Sequence, residues 1–239
     1  TTDDISSTFD SNSNKVVIAY QDGGNSNYGT AVVTTTGSTN LTSENFVGIT
    51  NGVVEYDVGP AAFGSEAVFE SATTAYTASA YDSNANKTVV VYQDGGNSSY
   101  GTAVVGTVNP SNNSISFGTP VVFEAASTSY IGISFDSNVN KFVIAYNDSG
   151  NSGYGTARVG TISGTSISFG TAVVFQSVGT YFCRVVFDSN SNKIVLAYKQ
   201  DGTGEKGTAR VGTISGTDIS FGTAVVFVDE KAMYLDATF

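Results

Sequence analysis

The sequence contains no histidine and only one cysteine, Cys183, among its 239 residues. Without histidine, Ser-His-Asp and Cys-His catalysis and His-ligated zinc are excluded, and the commonest general base is missing. A single cysteine forms neither an intrachain disulfide nor a structural zinc site. Strand-forming residues flank Cys183, which favours a small buried hydrophobe. We therefore expect a protein that is not an enzyme and has no cofactor.

Charged residues are also scarce, at 13% of the chain, and acidic residues outnumber basic ones by 21 to 10. A nucleic-acid binder needs a basic stripe to neutralise phosphates, and an anionic membrane attracts the same kind of surface. The basic residues here are scattered, so neither partner is expected. No segment approaches the roughly 20 apolar residues that span a bilayer.

A long internal repeat dominates what is present. The segment FDSNSNKVVIAYQDGGNSNYGTAVV starts at Phe9 and returns in closely similar form at Tyr81, Phe135 and Phe187, at intervals of 72, 54 and 52 residues. A period of this length indicates a solenoid, a propeller or an array.

Each copy predicts four short strands, represented in the second copy by 76–81, 87–92, 100–108 and 114–123. They are rich in β-branched and aromatic residues, and polar turns with glycine link them. Four antiparallel strands in about 50 residues is the size of a propeller blade, and a β-helix with its shorter coils is the main rival. The sequence therefore predicts an all-β, four-bladed β-propeller, with a five-bladed ring as the alternative.

We expect a single domain over 1–239 whose blades span about 1–72, 73–126, 127–178 and 179–230. The first blade carries an insert at 34–62, in which LTSENFVGI and VVEYDV are candidate strands.

The two chain ends resemble the same inner strand, because DDISSTF at 3–9 and YLDATF at 234–239 both match the start of a repeat. We expect the segment 231–239 to close the ring. In it, 234–239 would pair with 15–20 in its own molecule or in a neighbour, and 1–9 would be displaced or serve as an outer contact. The terminal strands also leave oligomerisation open, since an unpaired edge invites another chain.

The fourth strands provide the expected core between blades. Their phenylalanines are Phe117, Phe123, Phe169, Phe175, Phe221 and Phe227.

The phrases KVVIAYQDGGNSNYGTAVV at 15–33, SISFGTPVVF at 114–123 and NLTSENFVGI at 40–49 resemble the tandem blade repeats of tail-fibre and other structural proteins of marine phages and bacteria. The resemblance covers nearly the whole chain. It implies a β-propeller in a virion or cell-surface assembly, with an extracellular or virion-surface location. The repeats also look faintly like the Asp-box turn of sialidases, but no active site carries over.

The turn QDGGNSNY and its copies are the main candidate binding site. These turns share one end of the sheet with the links that carry Tyr76, Tyr130 and Tyr181, so an amide, an acid and an aromatic residue lie side by side. Sugars are bound by this mixture, since their apolar faces stack on aromatics and their hydroxyls bond to Asp, Asn and Gln. The alternative is that these residues only shape the turn and pack between blades. The candidates are Gln21, Asp22, Asn25, Tyr28, Gln93, Asp94, Asn97, Tyr100, Asn147, Asp148, Asn151 and Tyr154.

The turn DSNSN is a weaker candidate, for calcium. It places oxygen side chains at alternate positions, as a calcium loop does, but only one carboxylate per copy is present and no bidentate Glu follows. Capping of a tight hairpin is the simpler interpretation. The acids concerned are Asp10, Asp82, Asp136 and Asp188.

Two main classes of function remain. The first is an adhesion module that recognises glycans or a surface receptor through repeated loops. The second is a structural propeller that joins other virion or surface proteins and binds no small ligand. A propeller glycosidase is a distant third, because a catalytic pair needs two carboxylates in unlike environments and the repeated acids share one.

Overall fold

A computed structural model of the chain describes residues 2–35, 46–50, 53–56, 62–202, 204–233 and 235–238. These residues form an antiparallel all-β structure, as the sequence predicts, and their only helical element is one 3-10 turn at Ser149–Asn151. None of them forms a helix long and apolar enough to cross a bilayer. The strands are β1 (Thr2–Asp10), β2 (Lys15–Asp22), β3 (Tyr28–Thr35), β4 (Phe46–Thr50), β5 (Val53–Tyr56), β6 (Ala67–Asp82), β7 (Lys87–Asp94), β8 (Tyr100–Asn109), β9 (Ser114–Phe117), β10 (Val121–Asp136), β11 (Lys141–Asp148), β12 (Tyr154–Ser163), β13 (Ser166–Phe169), β14 (Val173–Asp188), β15 (Lys193–Gln200), β16 (Lys206–Ser215), β17 (Asp218–Phe221) and β18 (Val225–Lys231).

Sixteen of these strands form one continuous sheet, and the repeat divides it into four similar units. The long strands β6, β10 and β14 each belong to two units. Their first halves pair with β3, β8 and β12 as outer strands, and their second halves pair with β7, β11 and β15 as inner strands. Unit 1 begins with β1, and unit 4 ends with β17 and β18 on β16.

The inner strands of successive units pack on one another, β6 on β1, β10 on β6 and β14 on β10. Among the described residues, β14 has at most marginal contact with β1. The sheet is therefore not closed, and the fold is an array of four antiparallel units.

A phenylalanine holds each pair of neighbouring units together. The Phe123 ring lies so close to Gly101 of its own unit that a Cβ there would stand 2.5 Å from it. Its other side meets Tyr146 and Phe169 of the next unit, at ring-centroid distances of 5.2 and 5.9 Å. Phe69 and Phe175 make the same contacts in the neighbouring junctions. The repeated YGTA phrase thus contains glycine because an aromatic ring occupies the place of its side chain.

The predicted phenylalanine core is confirmed for five of its six members. Phe123 and Phe175 are buried, while Phe117, Phe169 and Phe221 are partly buried against the three apolar clusters. Phe227 is wrong as a core residue, because its ring is 50% exposed. It occupies the position of Phe123, but no described segment packs on its outer side.

The prediction that 234–239 of the C-terminal segment 231–239 pairs with 15–20 is wrong within one molecule. β1 pairs with β2 in a register that runs from Thr2 with Asp22 to Asp10 with Lys15, and β3 takes the other edge of β2. The described residues 235–238 belong to no strand. The slot beside 15–20 is therefore held by β1, whose strand ladder is long and continuous apart from one bulge.

Most of the insert at 34–62 lies outside the described residues. Within it, β4 and β5 form a separate two-stranded antiparallel sheet with Phe46 opposite Tyr56. These two strands overlap LTSENFVGI and VVEYDV, the candidate strands of the insert.

Cys183 is buried on the inner strand β14 within an apolar cluster. Burial raises the pKa of its thiol to about 12. Since the thiolate is the reactive form, we expect no measurable reaction with a thiol-specific chromogenic reagent at pH 8 in the folded protein, and one thiol per chain after denaturation. Rapid labelling of the native protein would show that this strand opens readily.

Candidate functional site

The predicted binding turns lie at one end of the sheet, and their acids stabilise the turns themselves. The Oδ1 atoms of Asp22, Asp94 and Asp148 accept hydrogen bonds from backbone N–H groups two residues later, at 2.9, 2.9 and 3.0 Å. Burial raises the pKa of Asp148, with the nearby Glu124 carboxylate as a second cause.

The amide side chains of these turns link neighbouring units. Gln21 and Gln93 donate to the carbonyl oxygens of Thr74 and Thr128, where the next inner strand begins. Asn147 Nδ2 donates to the carbonyl of Thr180 at 2.9 Å. These bonds satisfy buried backbone groups that would otherwise cost stability, so they have a structural role.

The remaining predicted residues of these turns differ in exposure. Asn25, Asn97 and Asn151 are exposed at the turn tips. Tyr28, Tyr100 and Tyr154 are half-buried at the starts of β3, β8 and β12. The structure therefore brings all twelve residues to one end of the sheet, but leaves only the three asparagine side chains fully presented to solvent.

The DSNSN turns lie at the opposite end and are built as hairpin caps. Asp82 Oδ1, for example, accepts from the N–H groups of Asn84 and Ala85, both at 2.8 Å. Asp10, Asp136 and Asp188 accept the equivalent pairs of bonds. In the described part of the chain, no three acidic or cysteine side chains converge as metal ligands would.

Each inner strand contains a bulge near the end that carries the QDGG-type turns. The pairing register shifts between Asp3 and Ser6, and at the equivalent points of β6, β10 and β14. One bulge residue per strand has left-handed backbone with φ of 52–54°, and these residues are Asp4, Tyr76, Tyr130 and Phe182. Left-handed backbone is strained for a bulky side chain, and such strain is concentrated at functional sites.

The bulges bring three aromatic rings into a row. The Tyr130 ring lies 5.0 Å from Tyr76 and 5.2 Å from Phe182, measured between centroids. Asp4 continues the row in unit 1, where its Oδ2 accepts the Tyr76 N–H at 2.8 Å. Burial raises the pKa of Tyr76, and Tyr130 and Asp4 act in the same direction.

The row borders a cleft of about 750 Å³ that is lined by the inner strands of all four units and by residues 235–237. Hydroxyl groups contribute to the wall, among them Ser6 and Ser79, whose Oγ atoms are 2.9 Å apart. A volume of this size suits a small organic ligand, because such pockets range over about 300–1,000 Å³.

Opposite charges meet at one side of the cleft. Arg184 Nε lies 3.5 Å from the exposed Asp236 carboxylate. Nearby, Lys199 Nζ stands 4.6 Å from the Tyr181 ring centroid and forms a 3.0 Å ion pair with Glu205. Hydrogen bonds from the ammonium groups of Lys231 and Lys199 lower the pKa of Glu205.

The sequence indicated this end of the sheet but emphasised the turn residues and not the bulges of the inner strands. The links ending in Tyr76, Tyr130 and Tyr181 were recognised as neighbours of the turns, whereas Phe182, Asp4 and the serine hydroxyls were missed. The sequence did contain a signal for the bulge residues. In units 2, 3 and 4, an aromatic residue lies two positions after the first residue of the inner strand. The bulge itself depends on strand register, which the sequence does not display.

No protein-family model matches the chain, and no curated protein matches it either.

Proposed function

We propose that the protein is a non-enzymatic binding module that recognises a glycan, or a glycan-bearing receptor, in the cleft between the inner strands. The row of strained aromatic residues Tyr76, Tyr130 and Phe182 carries this proposal. Strained backbone at four equivalent positions, three of them aromatic and all bordering one cleft, is better explained by ligand binding than by stability.

The side chains around the cleft suit a sugar. Aromatic rings offer apolar faces for the C–H surface of a pyranose, while carboxylate and hydroxyl groups accept and donate hydrogen bonds to its hydroxyls. Asp4, Ser6 and Ser79 provide such groups beside the rings.

We further propose that the four units are propeller blades whose axis passes through the cleft. The participation of all four inner strands in the cleft wall supports this arrangement. Residues 235–237 lie beside β14, where the inner strand of a fifth blade would stand. On this view the blades keep the predicted boundaries. The resemblance to fibre repeats supports a location on a virion or cell surface.

Two acids that lie outside the repeated turns make other contacts. Glu66 accepts a 2.6 Å hydrogen bond from the Tyr20 hydroxyl, and Asp229 is paired with Lys206. Neither lines the cleft.

Glycan-array binding tests the proposal, with the protein displayed in several copies so that weak sites gain avidity. For a glycan that binds, we expect Tyr130→Ala to weaken the monovalent affinity by about tenfold or more, equivalent to about 1.4 kcal/mol. Arg184→Gln, which removes a partly exposed side chain from the cleft wall, should also weaken binding without affecting the fold. Isothermal titration calorimetry measures both effects.

Asn97→Ala is the matched control, since it alters an exposed turn residue at the same end of the sheet but outside the cleft. It should retain most of the affinity. If Asn97→Ala abolishes binding while Tyr130→Ala and Arg184→Gln leave it unchanged, the site lies on the turns. An array with no bound glycan contradicts the proposal as a whole.

A further inference from the structure

The outer face of unit 4 is an apolar surface that the other three units bury. Val33, Val105 and Val159 occupy equivalent positions in units 1 to 3 and are at most 1% exposed, whereas Val211 in unit 4 is 50% exposed. Phe227 is likewise 50% exposed, although its equivalent Phe123 is 1% exposed. Val211 and Phe227 are thus typical of a junction between units, but no described segment covers them.

Unit 1 presents the complementary half of the same junction. Phe63 occupies the position of Phe117, Phe169 and Phe221, each of which packs against the phenylalanine of the preceding unit. Phe63 itself is 63% exposed. Phe227 and Phe63 are therefore the two members of a ring pair that occurs three times within the chain.

The polar groups at these two faces are also compatible. In the junction between units 2 and 3, Glu124 accepts a 2.8 Å hydrogen bond from Tyr146 and lies 3.7 Å from Arg158. Unit 4 has Val228 at the position of Glu124, and unit 1 has Val32 at the position of Arg158.

The tyrosine of unit 1 needs no acceptor from another unit. Tyr20, which occupies the position of Tyr146, already donates to Glu66 within its own unit. At these positions, contact between the two end faces would bury no charge and would leave no tyrosine hydroxyl without a partner, and those are the usual costs of such burial.

We infer that the outer face of unit 4 binds unit 1 of a second copy of this chain, head to tail, with Phe227 against Phe63. The contact uses the same pair of phenylalanine positions as the junctions that join units 1 to 4. It is heterologous, so it produces either a closed ring of copies or an open filament. It is tested separately from the proposed glycan cleft, although both involve residues 235–237.

One segment competes for space in this arrangement. Residues 235–238 lie beside β14, where β1 of the second copy would stand. They form no strand among the described residues, and their ion pair to Arg184 involves an exposed Asp236. β1, in contrast, is held by a strand ladder along β2. The second copy therefore keeps its β1, and residues 235–238 move aside.

Sedimentation velocity of the full chain, three substituted variants and a variant that lacks 235–239 tests this inference. We expect the unaltered chain to associate with increasing concentration, and Phe63→Glu and Phe227→Glu each to remain monomeric. An equimolar mixture of these two variants should form a heterodimer, because each supplies the face that the other has lost. Val139→Glu, which alters an apolar turn residue that is 38% exposed and lies away from both faces, should associate like the unaltered chain.

Three results would overturn the inference. The first is an unaltered chain that stays monomeric at high concentration, as it would if units 1 and 4 met within one molecule. The second is association of Phe63→Glu alone, which would indicate contact between two identical unit 4 faces. The third is loss of association when 235–239 is deleted, since that would assign the contact to exchange of the terminal segment. Circular dichroism of each variant establishes that it is folded.

Discussion

Replacement of Phe123 by alanine is expected to lower the free energy of unfolding by about 3–5 kcal/mol, the usual cost of removing a buried phenylalanine. The ring is 1% exposed and contacts Gly101 in its own unit, together with Tyr146 and Phe169 in the next. Its removal leaves a cavity at a unit junction. Urea denaturation measures the change, and the melting temperature should fall by roughly 6–20 °C, because 1 kcal/mol corresponds to about 2–4 °C for a chain of this size.

Phe227→Ala is the matched control, since the same residue occupies the same repeat position without a neighbouring unit. Its ring is already 50% exposed, so the loss should stay below about 1.5 kcal/mol when the protein is dilute enough to be monomeric. Equal losses for the two variants would mean that the fourth face is covered in solution within one molecule.

Deletion of residues 1–8 is expected to cause the second large effect, a fall in melting temperature of more than about 10 °C or loss of soluble protein. The deletion removes most of β1 and leaves the edge of β2 unpaired. An unpaired edge loses the strand ladder and promotes aggregation. It also removes the 2.8 Å bond from the Tyr76 N–H to Asp4 and the contact of Ser6 with Ser79. Differential scanning calorimetry and size-exclusion chromatography measure the two outcomes.

Deletion of 235–239 provides the comparison. It removes one exposed ion pair, between Arg184 and Asp236, which is worth at most about 1 kcal/mol. The melting temperature should therefore shift by no more than about 4 °C. A severe loss here, together with tolerance of the 1–8 deletion, would show that the C-terminal segment holds the inner slot after all.

The repeat made much of the fold predictable. Alternating β-branched and aromatic residues between polar turns defined the strands, and the phenylalanines of the fourth strands identified the junctions. β9 and the first half of β10 were expected as one strand at 114–123, but they are separated by residues 118–120. Repetition is informative because the same residues must pack in equivalent positions in all four copies.

The candidate site was less predictable. Gln21, Gln93 and Asn147 have the composition of a sugar site, yet their amides are used to bond the next inner strand. Asp22, Asp94 and Asp148 similarly serve their own turns. The type of a polar residue in a turn does not show whether its side chain faces a ligand or a backbone carbonyl. The sequence pattern therefore could not separate these roles.

The sequence by itself determined the all-β class, the four repeated units and the phenylalanines that join them, because local strand propensity and period depend on nearby residues. Only the tertiary structure decided which terminal segment pairs with β2, since 3–9 and 234–239 resemble the same strand and the choice depends on contacts far apart in the chain. It also decided that Phe227 stays exposed while Phe123 is buried, because burial depends on whether another unit packs on the ring. The aromatic row at the cleft arises in the same way, from bulges in register that bring Tyr76, Tyr130 and Phe182 together from three separate repeats.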